Sequence, residues 1–223
     1  MDTTSRTTLH RQCTQGLLTS LLLSAIVALC TSTPIPPEQI HPWRHYERLV
    51  RETHVLDEQH HNVYTSFKTI RFDDASIRID DFRIAGVPSL NDLPAPVDRY
   101  SMQESELLPI HYSRLHVFEQ ILARARADEF QLRMEGDANF HDHLLVVLNH
   151  LQRVVSKLRQ TMVSLDIAHD FDATPSNIVF ANNQNHSYLN MRILYILQEL
   201  NDNLSPALED FLKFMDTHEQ PSS

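Results

Sequence analysis

Cysteine is nearly missing from this 223-residue chain, which has only Cys13 and Cys30. No disulfide framework can therefore hold the remainder together, and its stability has to come from a hydrophobic core, for which about 190 residues are enough. Glycine is as scarce, with Gly16, Gly86 and Gly136 alone. A phosphate loop, a dinucleotide fingerprint and a nucleophile elbow all need glycines at fixed short spacings, and none of these patterns occurs. Runs of lysine and arginine are missing too, and the formal net charge is −10. That excludes a basic surface of the kind that neutralises nucleic-acid phosphates. Neither catalysis nor a cofactor nor nucleic-acid binding is expected.

Only one long apolar run is present, residues 16–30 (GLLTSLLLSAIVALC). It is shorter than the roughly 20 residues of a membrane span. Arg6 and Arg11 precede it, and small residues with Pro34 and Pro36 follow, the layout of a secretory signal cleaved near residues 30–33. Residues 1–32 are expected to be that signal, leaving a secreted protein that does not insert into membranes. An uncleaved anchor would want a longer run with a basic flank after it. A lipoprotein site at Cys30 would want a smaller residue than Leu29.

What the chain does have is helical periodicity. Phe140, Leu144, Leu148, Leu151, Val155, Leu158, Met162 and Leu165 keep the three-and-four spacing of one helix face. With Gly136 as a break and Asp137 as an N-cap oxygen, this helix is placed at about 138–166, roughly 45 Å long. Pro42 opens an earlier helix over about 43–71, with Tyr46, Leu49, Val50, Thr53, Leu56, His60, Val63, Phe67 and Ile70 on its inner face. Ser101 and Glu104 read as a capping box for a helix over about 102–128, whose inner face is Leu108, Tyr112, Leu115, Phe118, Leu122 and Ala125 and which Pro109 should kink or delay. The last helix spans about 188–215, with Leu189, Ile193, Ile196, Leu197, Leu200, Leu204, Leu208, Phe211 and Phe214 inward and a kink or restart at Pro206.

Residues 73–100 and 167–186 show no sustained period, whereas the join between the second and third helices is short. A short join makes antiparallel neighbours. Joining two helices of ~40 Å in parallel needs ~20 or more residues at up to ~3.3 Å each. Long, short, long predicts an all-α, long-chain four-helix bundle of up-up-down-down topology with two long crossover loops, forming one domain over residues 33–223.

Several strings within that order resemble a known family. Residues 118–125 (FEQILARA), Glu135-Gly136-Asp137 with Phe140-His141 shortly after, Leu197-Gln198-Glu199-Leu200, and the stretch from Val63-Tyr64 to Asp81-Phe82 resemble the interleukin-6 family of helical cytokines, in its ciliary neurotrophic factor, cardiotrophin and cardiotrophin-like branch. The resemblance covers roughly residues 43–216 and rests on the strings occurring together in order. It implies a secreted monomeric ligand that assembles class I cytokine receptors and activates Janus kinase and STAT signalling. The implied partners are the shared signal-transducing chain and a chain like the leukaemia inhibitory factor receptor, with an alpha subunit as a further candidate.

Contact with receptors has to come from outer faces. On the first helix the stripe opposite the core includes Arg48, Arg51, Val55 and Glu58; on the third it includes Val146, Arg153 and Lys157. Two valines at comparable heights ringed by charge would make the apolar centre and polar rim of an interface. The resemblance assigns this pair of faces to the shared chain. It also implies a Phe-x-x-Lys receptor pair at the start of the last helix, but its places fall on Ser187 and Asn190; either Tyr188 supplies the aromatic ring and Arg192 the cation instead, the reading favoured here, or the site is weak or addresses a different receptor chain and Tyr188 packs on the end of the loop at 167–186. An exposed tyrosine there has no evident structural duty. Asn185-His186-Ser187 is a glycosylation sequon.

Fourteen histidines raise the question of metal. Glu58-x-x-His61 has the spacing used in carboxylate-bridged di-iron bundles, but no second such motif accompanies it. His141 and His143 lie two apart and so face different sides of a helix. Solvated surface histidines and no metal are expected. The competing class of function is a secreted amphipathic lipid carrier, which would favour Pro-punctuated repeats that this chain lacks, with another, non-signalling helical bundle behind it.

Overall fold

The computed structural model describes residues 41–173, 178–183 and 185–219; the expected signal segment and both cysteines lie outside them. Helix α1 (Pro42–Phe72) opens at a proline whose missing N–H costs nothing there, and closes at Asp73, which turns left-handed (φ 54°) and donates its N–H to the Thr69 carbonyl at 3.1 Å. A short helix α2 (Pro96–Ser101) precedes α3 (Glu104–Leu132); α4 (His141–Ser164) and α5 (His186–Glu219) complete the set, with 3-10 turns at Leu90–Asp92 and Gly136–Ala138. No strand occurs among the described residues, and the fold is an all-α bundle.

Several boundaries differ from the periodicity, each for a local reason. Helix α4 starts at His141 rather than near 138, because the backbone before it is bound elsewhere. Arg71 of α1 donates to the Ala138 carbonyl (3.0 Å), and the Phe140 N–H donates to the buried Glu129 carboxylate of α3 (2.8 Å). Asp137 falls in the 3-10 turn and does not cap α4. Ser101 closes α2, its hydroxyl donating to the Asp98 carbonyl; α3 is capped instead by Glu106, which accepts the Gln103 N–H at 2.9 Å. The helices run unbroken through both Pro109 and Pro206, so neither proline restarts its helix.

The inner faces are buried at nearly every position the spacing marks. Ile70 is the clear exception at 46% exposed, and Tyr64 takes the place beside Phe67; Leu165 and Leu208 are only partly covered. Helix α5 departs most from a one-sided pattern. Every residue from 192 to 200 is buried. Three helices cannot enclose a fourth on all sides, and the covering comes from the connection between α1 and α2. The Ile79 N–H donates to the Gln198 side chain (2.9 Å), Arg78 pairs with Asp202 (2.6 Å), Asn203 donates to the Pro88 carbonyl (3.1 Å), and the Phe82 ring lies 5.5 Å from Tyr195. Ile79, Ile84 and Val87 of this segment are themselves buried, each contributing about 1.5–3 kcal/mol of apolar burial.

Contacts between helices pair starts with ends. Tyr46 near the start of α1 stacks on His218 near the end of α5 (5.4 Å), and Arg71 at the end of α1 donates to Asn190 near the start of α5 (2.8 Å). His111 of α3 meets Asp210 of α5 (2.8 Å), whereas Asp128 meets Arg192. Phe67 of α1 packs edge-on against Phe140 at the start of α4 (5.1 Å).

Candidate functional site

The outer face of α1 carries Arg48, Arg51 and Glu58, all exposed, with Val55 half-buried among them. Arg51 lies 3.9 Å from Glu52, too loose and too wet a pair to fix either side chain. On α4, Val146 is 41% exposed, Arg153 is exposed, and the half-buried Lys157 donates to Gln160 at 3.2 Å. The His45 pKa is held below the ordinary histidine range; burial does most of this, and the charges of Arg48 and Lys157 add to it.

These two stripes do not share the apolar centre expected of them. Phe67 lies against Phe140 and Arg71 against Ala138, and the pair runs antiparallel, so Val146 stands level with about residue 61 of α1. That is roughly 9 Å along the axis from Val55 at ~1.5 Å per residue. Val55 instead lines the groove between α1 and α5, with Val50 and Met215. Helical wheels give the azimuth of a residue but not the offset between helices, which the buried Arg71–Ala138 and Glu129–Phe140 contacts set.

At the start of α5 the correction is larger. Arg192 has no exposed surface: its guanidinium is paired with Asp128 of α3, within a residue of the Glu129 that holds Arg71, and its Nη1 donates to the Ala181 carbonyl at 2.9 Å. It cannot be the cation of a surface site. Tyr188 is half-buried and does have a structural duty, since its ring lies 5.5 Å from Phe82 and 5.4 Å from the Arg192 guanidinium. Asn190 is half-buried and accepts from Arg71. Asn185 is exposed; its Oδ1 accepts the N–H groups of Ser187 (2.9 Å) and Tyr188 (3.4 Å), capping the first turn of α5. The amide nitrogen, the atom that would carry a glycan, is not used by that cap.

Apolar spacing alone does not single out Asp128, Glu129, Arg71 or Phe82. For the first two a signal exists: positions 128, 129 and 132 continue the inner-face spacing of Phe118, Leu122 and Ala125, and only the charge of Asp128 and Glu129 argues against their burial. Phe82 lies in an aperiodic stretch that gives none. His60 and His111 are buried rather than solvated. Among the described residues, no three His, Cys, Asp or Glu side chains come together to hold a metal ion, and no helix is long and apolar enough to cross a membrane.

Compared with family models, curated proteins and solved structures, the chain matches none.

Proposed function

We propose that the protein is a secreted, non-catalytic helical cytokine of interleukin-6 type, which brings class I receptor chains together and so starts Janus kinase and STAT signalling. The observation that carries this reading is the connection from α1 laid along the outside of α5. It supports an up-up-down-down order, in which a long crossover returns the chain to the end where α1 began before α3 starts. The start-to-end contacts of α4 and α5 with α1 and α3 fit the same order. Apolar faces turned into a closed core favour this over the lipid carrier, whose helices would need to open; helicity and cooperative melting unaffected by lipid vesicles would support that choice.

The receptor-facing surfaces are then two separate patches for the shared chain, Arg48, Arg51, Val55 and Glu58 on α1 and Val146, Arg153 and Lys157 on α4, and a third at the start of α5 built from Tyr188 and Asn190 without Arg192. A glycan on Asn185 would stand beside that third patch, and mass spectrometry of protein from a eukaryotic host reads its occupancy. STAT phosphorylation in cells carrying defined combinations of the shared chain, the leukaemia inhibitory factor receptor and an alpha subunit tests the whole reading. Phosphorylation with at least one combination is expected. Silence in all of them from cooperatively folded protein would refute it.

A further inference from the structure

His60 sits at the crossing of α1 and α5 with no exposed surface. Its Nε2 lies 2.9 Å from the Leu197 carbonyl, so this nitrogen carries the hydrogen and donates. When the ring is neutral, this contact fixes its tautomer and leaves Nδ1 bare. Nδ1 is buried, and no protein group among the described residues reaches it. In the neutral ring this leaves one weak acceptor unpaired. In the protonated ring it would leave an N–H donor and a full charge with nothing to receive them, a much larger penalty.

The surroundings do not soften that penalty. From α1 the neighbours are His61, whose charge would repel a second one, and Tyr64, whose ring is 5.8 Å away and whose own hydroxyl is unpaired. From α5 the carboxylate felt at His60 is Asp202, and that group is already paired with Arg78 of the connection at 2.6 Å. Glu199, the other nearby acid of α5, is turned to Tyr195 and Ser89. We propose that His60 is an acid-sensitive catch: the neutral imidazole ties α1 to α5, and proton uptake opens that crossing and with it the bundle. The catch works in the same way whatever the bundle binds.

Burial, the dominant effect, pushes the His60 pKa down to about 4 from 6.5. Above 6.5 both folded and unfolded chains hold the ring neutral, and the catch is fully closed. Between 6.5 and about 4 the unfolded chain binds one proton more than the folded one. The unfolded-to-folded ratio then rises up to about tenfold for each unit the pH falls. His111, also buried and also shifted down mainly by burial, acts in the same direction at the crossing of α3 and α5.

Two measurements on the whole protein decide the matter. Carbon-13 NMR of the histidine Cε1 positions should find a His60 imidazole that does not titrate above pH 5 while the protein stays folded. Urea unfolding followed from pH 7.4 to 4.5 should show His60→Gln taking up about one proton fewer on unfolding than the parent, since the glutamine amide can still donate to Leu197 but cannot be charged. A His60 ring titrating near 6.5 in folded protein, or an unchanged pH slope in His60→Gln, would overturn the proposal. If the variant does not fold, the ring titration of the parent protein decides alone.

Discussion

Asp128 and Arg192 are both fully buried, and their pairing ties α3 to α5 at this end of the bundle. Removing one member of such a pair costs far more than the pair contributes, because the other is left charged and dry. The two members are not equivalent. Asp128 is also approached by Arg124, which is one-third exposed, at 3.0 Å, whereas Arg192 has no second carboxylate within ion-pair distance among the described residues. Asp128→Ala should therefore lower stability by about 3–5 kcal/mol, a fall in melting temperature of roughly 10 °C for a domain of this size. Arg192→Met, which fills the space and leaves Asp128 its other arginine, should cost clearly less by the same melting measurement. Equal losses would mean that Arg124 does not compensate. Tyr188 makes a second prediction at this scale. If its main role is packing on Phe82, Tyr188→Ala and Phe82→Ala should each lose stability and their double mutant should lose less than the sum, by about 0.5–1.5 kcal/mol. Strict additivity would return Tyr188 to the role of a free anchor.

At the scale of elements, the long helices were legible because apolar spacing survives over many turns, and the inner faces of α1, α3, α4 and α5 are buried at nearly every position it marks. Helix α2 was not legible. Six residues hold less than two turns, too few for a period to emerge, and what places α2 is Arg99, whose Nε donates to the buried Asp210 at 3.0 Å. Charges facing inward were the other failure. A periodic pattern that counts only apolar residues assigns Arg192 to the surface although it lies three residues from Leu189 and four from Ile196. The offset between α1 and α4 changes what mutation should show. With Val55 and Val146 on separate patches, Val55→Asp and Val146→Asp should each weaken STAT activation on its own, and neither should move the melting temperature by more than a degree or two. A loss seen only in the double variant would point to one shared patch after all.

For the whole molecule, the all-α class was legible from helical spacing sustained along most of the chain, but the part played by the connections was not. They read as tethers, and one of them is a wall of the core: the segment around Ile79, Ile84 and Val87 encloses α5 on the side that α1, α3 and α4 leave open. A chain ending at residue 185, which lacks α5, should consequently show no cooperative melting transition by circular dichroism, even though α4 would still have α1 and α3 to pack on. A sharp transition in that fragment would mean the three helices form a core unaided.

The same enclosure sets a timetable during synthesis. Helix α5 leaves the ribosome well after its partners at residues 78–88, whose places are against a helix that does not yet exist. Until then Phe82 has neither Tyr188 nor Tyr195 to rest on, so the nascent chain passes through a long interval with this ring uncovered. Closure waits on a search across more than a hundred residues of chain, and a helper that shields that segment in the meantime would raise the yield of folded protein without touching its stability.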